Sequence, residues 1–515
     1  VLAQFVPRIF MKDSAESTQI SQQRFGAGQA SFFTTIHPSR VVERPTAGAD
    51  QLAEAEYRQQ LAKNPDRVDV LQALAVLLGA RGEFEESAEF LARALQVSPN
   101  DPHLHNDLGV TLERAGRFTR AVESYRRSLQ LEPRFHQTWT NLANSLLHSG
   151  DLAGAQEASR HALQLEPTYA PALNVLGSAL VEIGRPAEAI IEFRRAIALS
   201  PSEPETHTNY AMALLQCGDF ENGLKEYEWR RHRPDPMFQR AGRPWDGSNP
   251  QGRTLFLYGE GGLGNMIQFA RYIPLLSNRG AKVVVECQAE LASLMTGIRG
   301  VSRVVPRGTH PGAYDAHCPL ASLPALFGTR LDTIPAAVPY LNLDQKKVEK
   351  WQSLVQQVSG FRVGVCWKGS RPIDEPRSRS LDPLWLASLS NLPGVSLINL
   401  QHGETAPPEL RLNTLAGLEP QSMELHDVAA VIASLDLVVS CDTSIAHIAG
   451  ALGKPVWVVI GNAGSWRWMR DRDDSPWYPT MRLFRQPKAG DWADCIERIA
   501  AVLTAPDHGG TMHAR

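Results

Sequence analysis

The chain divides by the period of its apolar positions. Between about residues 49 and 232 these fall at helical spacing, and one set of positions recurs every 34 residues. Pro65, Pro99, Pro133, Pro167 and Pro201 keep that step, as do Gly82, Gly116, Gly150, Gly184 and Gly218. Leu74, Leu108, Leu142 and Leu176 repeat with them, together with Ala121, Ala155 and Ala189 and the aromatics Tyr125 and Phe193. Each unit reads as two antiparallel helices, with glycine in the turn between them and proline ending the second. One hairpin cannot bury its own apolar face, so neighbours must stack into an all-α solenoid. Four full repeats cover 68–203, and half-repeats at about 50–65 and 204–232 end the array.

Beyond residue 253 the pattern changes. Short apolar runs at 254–260, 282–288 and 303–308, then at 361–367, 395–401, 436–442, 455–461 and 481–486, read as strands. Helical stretches lie between them, which predicts parallel sheets covered on both faces. The polar segment 341–360 separates two α/β lobes, 253–345 and 361–505, with a cleft between them. The Pro-, Gly- and Arg-rich stretch 233–252 reads as a linker. Residues 1–48 have no period and read as disordered or loosely packed, and 506–515 as a flexible tail.

Charge and composition remove several classes of function. With 52 basic and 55 acidic residues the formal net charge is −3, which gives no reason to expect nucleic acid as a partner. No apolar run reaches the roughly 18 residues of a membrane span. The opening VLAQFVPRIF lacks the charged and small-residue parts of a signal peptide, and Met11 reads as the natural start. Six cysteines lie scattered without a CxxC pair, which predicts reduced thiols in a cytoplasmic protein.

Candidate chemistry sits at strand ends. GEGGLGN (259–265) joins a strand to a helix, and Gly259, Gly261 and Gly264 match GxGxxG, with Gly262 in the same loop. Glu286 follows 22 residues after Gly264, as in a dinucleotide-binding fingerprint, so an NAD-dependent oxidoreductase is one reading. A phosphate or other substrate approaching the helix N-terminus is a broader one, and a ligand-free tight turn is the plain one. In the second lobe Lys368 of WKGS follows a strand, and Arg377, Arg379 and Ser380 follow in a loop. Basic loop residues are usually only solvated. Asp442, Thr443 and Ser444 stand at the N-cap of the next helix, ahead of Ala446 and His447. They serve either as ordinary caps or as the lip of a diphosphate site. Both motifs lie at carboxyl ends of strands, where open α/β sheets bind ligands.

The 34-residue unit resembles the tetratricopeptide repeat, which implies a protein partner on the inner face. Asp107, Asn141 and Asn209 share one repeat position, and Asn106 and Asn174 the position before it. As donors and acceptors they could grip an extended peptide, or simply face water. The blocks GEGGLGNMIQFARYIPLL, YDAHCPLASLPALFGT, IPAAVPYL, SCDTSIAHIAGALGKPVWVVI and WRWMRDRDDSPWYPTMRLFRQPKAGDW resemble glycosyltransferase family 9, over about 253–505. They resemble more closely the bacterial proteins that fuse such a module to repeats. The resemblance implies a GT-B fold of two Rossmann-like lobes and a nucleotide sugar held mainly by the C-terminal lobe. It implies no metal or other cofactor, so that DRDD (471–474) is a loop, and an inverting outcome. It also implies a protein acceptor, such as flagellin, brought by the repeats. The family usually reads GLGD, its Asp being the base; here the residue is Asn265, which cannot take a proton. Glu260 is then the favoured base, with His317 or Asp315 as alternatives. A degenerate lobe that only binds nucleotide, on a repeat scaffold, is the other outcome.

Overall fold

A computed structural model describes residues 47–369, 379–419 and 423–505. The N-terminal segment up to residue 46, Arg377 and the 506–515 tail lie outside the described residues.

The solenoid comprises α1 (Ala47–Lys63), α2 (Val68–Arg81), α3 (Phe84–Val97), α4 (Pro102–Arg114), α5 (Phe118–Leu131) and α6 (His136–Ser149), followed by α7 (Leu152–Leu165), α8 (Ala170–Ile183), α9 (Pro186–Leu199), α10 (Pro204–Gln216) and α11 (Phe220–Tyr227). The four expected repeats are α2 to α9. The expected half-repeat at 204–232 is a complete hairpin, α10 and α11. The periodic glycines turn the chain at φ between 75° and 90°, a region in which a side chain would clash with its own backbone. Ala121, Ala155 and Ala189 and the rings of Tyr125 and Phe193 are fully buried, small residues against large ones.

The first lobe contains β1 (Thr254–Tyr258), α12 (Leu263–Ala270), α13 (Ile273–Asn278), β2 (Lys282–Cys287), α14 (Ala292–Thr296), β3 (Val301–Pro306), β4 (Ala316–Pro319) and α15 (Leu323–Leu326). Its sheet order is β3-β2-β1-β4, all parallel. Strand β4 was not read from the sequence, because Ala-His-Cys-Pro carries no β-branched run. The helical run expected from residue 265 breaks after Ala270: Pro274 has no N–H to donate to its carbonyl. The second lobe follows α16 (Gln345–Val355) and contains β5 (Phe361–Cys366), α17 (Ala387–Ser390), β6 (Val395–Asn399), α18 (Leu425–Ser434), β7 (Leu437–Cys441), α19 (Ser444–Ala451), β8 (Val456–Ile460), β9 (Met481–Arg485) and α20 (Trp492–Thr504). Its order is β6-β5-β7-β8-β9, again all parallel.

The expected linker is a strap. Pro244 bridges to His317 of β4, and the backbone N–H of buried Trp245 donates to the His317 carbonyl at 2.8 Å. Met237 and Phe238 cover Phe256, Tyr258, Val284 and Val305 on the outer sheet face. Arg240 lies 4.9 Å from the Tyr258 ring centre. Composition pointed to a spacer; the few apolar residues within it order the segment.

The terminal hairpin enters the core of both lobes. Ala211, Leu215, Phe220, Leu224 and Tyr227 share one apolar cluster with Ile267 and Phe269 of α12 and with Trp466 and Trp477 of the second lobe. The Phe220 ring centre lies 6.4 Å from that of Trp466 and 6.0 Å from that of Trp477. Gln216 Nε2 donates to the Ala463 carbonyl at 2.6 Å. Met469 and Arg470, just before DRDD, rest on the repeat turns. A Cβ on Gly184 would sit 2.4 Å from Arg470 Nη1, and one on Gly218 2.9 Å from Met469 Cε. Met469 and Asp471 adopt positive φ in this loop, an unfavourable state for side-chain-bearing residues. Arg485 Nη2 holds the Met469 carbonyl at 2.5 Å.

Just after α11, Arg230 turns into the first lobe. Its Nε and Nη2 donate to the two Glu260 oxygens at 2.8 and 2.5 Å, and its plane lies 4.2 Å from the Tyr227 ring centre. Both charges are buried, so the pair is held only while both partners are present. Arg230→Met should cost about 3–5 kcal/mol in urea denaturation, because Glu260 is left buried without its partner. Adding Glu260→Gln should recover part of that loss.

Candidate active site between the lobes

At the carboxyl end of β5, Gln401 Oε1 accepts the backbone N–H groups of Trp367 and Lys368 at 3.2 and 2.8 Å. The Gly369 N–H donates to Ser380 Oγ at 2.9 Å, which fixes the WKG turn. The Lys368 ammonium lies 3.2 Å from Glu404. At the end of β7, Asp442 accepts from Arg379 Nη1 at 3.0 Å. Burial alone would raise the Asp442 carboxyl; nearby positive charge, Arg379 first, outweighs it and holds the group below its ordinary value.

Plain capping does not describe the start of α19. Thr443 is its N-cap, and the helix opens without a side-chain cap. Thr443 Oγ1 turns instead to Ser440 Oγ at 3.0 Å, and Asp442 faces Arg379. The first-turn N–H groups from Ser444 to Ala446 are thus left to water or a ligand. Ala446 is fully buried, and Ser444 is the most exposed of the three. His447 is buried with Nδ1 2.9 Å from the Tyr478 hydroxyl, and burial takes its pKa down to about 3, against the pull of Asp442. It is a neutral ring at physiological pH.

The glycine loop of the first lobe faces this helix. Gly261 has φ 75°, Gly262 is the N-cap of α12, and this helix too has no side-chain cap. A Cβ on Gly264 would lie 2.6 Å from His447 Cδ2, and one on Gly259 1.6 Å from Met266 Sδ. Close packing therefore accounts for two of the fingerprint glycines. Glu286, the ribose-binding acid of a dinucleotide site, is buried and paired with Arg240 of the strap at 2.7 Å. That arrangement removes the particular observation on which the NAD reading stood.

Asn265 Oδ1 accepts from Arg467 Nη2 at 2.6 Å, and Gln268 Oε1 accepts from Arg467 Nε at 2.6 Å. Neither Arg467 nor Gln268 was singled out from the sequence. The available signal was a cation between two tryptophans, WRW, and an amide inside the apolar run MIQFA.

The three expected bases are placed elsewhere. Glu260 spends both oxygens on Arg230, which corrects its reading as the free base of the loop. Asp315 Oδ2 accepts the Thr254 N–H at 2.7 Å, at the amino end of β1, opposite the ligand end. His317 is buried under the strap, its ring 5.9 Å from Tyr258, and burial lowers its pKa.

The solenoid asparagines are also reassigned. Asn106, Asn141, Asn174 and Asn209 are buried and bond to one another between neighbouring repeats. Asn141 Nδ2 donates to Asn106 Oδ1 and Asn209 Nδ2 to Asn174 Oδ1, each at 3.1 Å. Gln72 Nε2 donates to Asp107 Oδ2 at 2.7 Å. They stitch first helices together rather than stand ready for a peptide or face water.

The buried neutral ring of His447 has a measurable consequence. Between its ordinary pKa of 6.5 and its folded value of about 3, the unfolded chain binds a proton that the native ring refuses. Stability is therefore lost as the pH falls through that window. His447→Gln should flatten the acid limb between about pH 6 and 4 by up to roughly 1.4 kcal/mol per pH unit, read from urea denaturation across a pH series.

Comparison with known proteins agrees with this division. Residues 408–482 match the model of glycosyltransferase family 9 (heptosyltransferase), a span that contains β7, α19 and β8. Residues 73–134 match a tetratricopeptide repeat model, and 106–219 the middle TPR-like domain of cilia and flagella-associated protein 70. Protein FlbA of Caulobacter vibrioides is 29% identical over 326 residues, covering 57% of this chain and 54% of its own length. The chain thus spans about half of that relative. Among solved structures, a thermophilic TPR protein of Thermus thermophilus aligns at 23% identity and TM-score 0.31, covering 33% of this chain and 95% of its own. MamA of Desulfovibrio magneticus aligns at 21% identity and TM-score 0.30, over 33% and 98%. The chain joins tetratricopeptide repeats to a two-lobed α/β region that carries a glycosyltransferase family 9 match.

Proposed function

We propose that the two lobes move a sugar from a nucleotide-sugar donor to an acceptor, and that the solenoid supplies a protein as that acceptor, flagellin being one candidate. The observation that carries this reading is the uncapped start of α19 at the end of β7, beside Arg379 and within the family match. Departure of the nucleotide puts charge on its phosphate. The N–H groups of Ser444 to Ala446, the helix dipole, Arg379 and Lys368 would stabilise that charge as it develops. Asn265, in the facing helix, would orient the acceptor hydroxyl. The chemistry calls on no metal or other cofactor. Six unpaired thiols fit a reducing, cytoplasmic setting.

A second reading has its own observation. Glu260 and Asp315 spend their carboxylates on Arg230 and on the Thr254 N–H, and His317 is buried against Tyr258 under the strap. A chain without a placed base would bind a nucleotide sugar and hold a protein partner without transfer. The dinucleotide reading keeps no such support.

A thermal-shift screen against UDP-, GDP-, ADP-, CMP- and TDP-sugars tests the proposal, with NAD as the control. A donor at 100 times its Kd should add about 2.7 kcal/mol. Arg379→Ala should weaken that donor by about tenfold or more, the value of one charged contact to phosphate. No response to any sugar nucleotide would overturn the donor site. Binding without transfer or donor hydrolysis would select the scaffold reading.

A further inference from the structure

We propose that the seam where Asn265 and Gln268 meet Arg467 is an anion site, built to hold a phosphate group between the two lobes from the α12 side.

Arg467 is nine-tenths buried, with 9% of its surface exposed. Its three polar contacts are all neutral: Asn265 Oδ1 at 2.6 Å, Gln268 Oε1 at 2.6 Å and Ser465 Oγ at 3.1 Å. Its guanidinium lies 4.7 Å from the Trp466 ring centre, on an apolar floor. Asp442 is the carboxylate whose field reaches it, and that carboxylate already faces Arg379 at 3.0 Å. Burial pushes the Arg467 guanidinium down from its ordinary value. Water is largely excluded from this cation, and its contacts bring dipoles but no opposite charge.

Two further observations point to the same spot. Gln268 is fully buried; its Oε1 serves Arg467, while its Nε2 donor has no partner. An amide left so lacks an acceptor, as a buried cation lacks an anion. The helix that carries Asn265 and Gln268 opens at Gly262 with no side-chain cap, so its first N–H groups and its dipole favour negative charge nearby. Gly264, in that first turn, packs on His447, which brings the starts of α12 and α19 together. A diphosphate lying across the seam would meet α19 and Arg379 on one side, and α12, Gln268 and Arg467 on the other.

Asn265 decides the charge of the seam. A carboxylate at this position would stand within hydrogen-bond distance of Arg467 and neutralise it. The neutral amide keeps its geometry and leaves the charge for a ligand. The inference deepens the donor-site reading, since it gives the phosphates a second wall, but it does not depend on the ligand being a sugar nucleotide.

The test uses the full chain in an Arg379→Ala background, which weakens the α19 side and leaves its backbone N–H groups in place. Inorganic phosphate and pyrophosphate are titrated by thermal shift at constant ionic strength, with chloride as the control. The parent should gain stability with either anion. Adding Asn265→Asp should raise its melting temperature without anion, by supplying the counter-charge internally. The same change should weaken the anion response by about tenfold or more. Arg467→Gln should abolish the response; if that variant does not fold, the Asp variant carries the test alone. An anion response unchanged by Asn265→Asp, or none in the parent, would overturn the proposal. Sugar-nucleotide binding by the unaltered chain is scored separately. Its absence alongside an Asn265-dependent anion response would sink the donor reading and leave the anion site standing.

Discussion

The arrangement of the molecule depends on the buried contact between Arg230 and Glu260. A guanidinium from the end of the solenoid meets a carboxylate in the loop that follows the first strand of the transferase-like region, with water excluded from both. Such a pair adds little net stability, yet breaking it is expensive, so it selects one arrangement over others. Around it the terminal hairpin fills a core shared by both lobes, through Phe220, Leu224 and Tyr227. The repeats are thus a third component of the transferase-like body. They also take a potential base out of chemical use, since Glu260 is committed to the joint.

The seam between the lobes follows from the same packing. Residues 259–265 are crowded by Met266 and His447, which leaves no room for side chains at Gly259 and Gly264. Two helices therefore start within reach of each other, both without side-chain caps, among buried polar groups. Among the described residues, what distinguishes the site is the buried guanidinium of Arg467, held by neutral groups. Glycosyl transfer driven by leaving-group stabilisation is compatible with that arrangement.

Much of the architecture was legible in the sequence because period is a geometric quantity. A proline and a glycine every 34 residues fix helix ends and turns, and apolar runs between helical stretches fix a parallel sheet. The side chains of the site were less legible, because their partners are remote in the chain. Glu260 looked available until Arg230, 30 residues upstream, was placed on it. Asn265 looked like a lost base, whereas its partner Arg467 lies 202 residues away. The repeat asparagines have the right period for an inner face, but period alone does not separate a groove from the interface between neighbouring helices. In the strap Pro and Gly mark irregular backbone, and that backbone is nevertheless firmly packed through Met237, Phe238 and Trp245.

The seating of the repeat turns on the second lobe has a mechanical meaning. The terminal hairpin is fastened to the first lobe by Arg230, just beyond its end, and to the second by Gln216, while Gly184 and Gly218 rest on the Met469–Arg470 loop. Any rotation of one lobe against the other must shear this hairpin or carry it along. If it is carried, the distal repeats sweep an arc that grows with their distance from the joint. In that case the solenoid would act as a lever arm on the joint formed by Arg230 and Gln216.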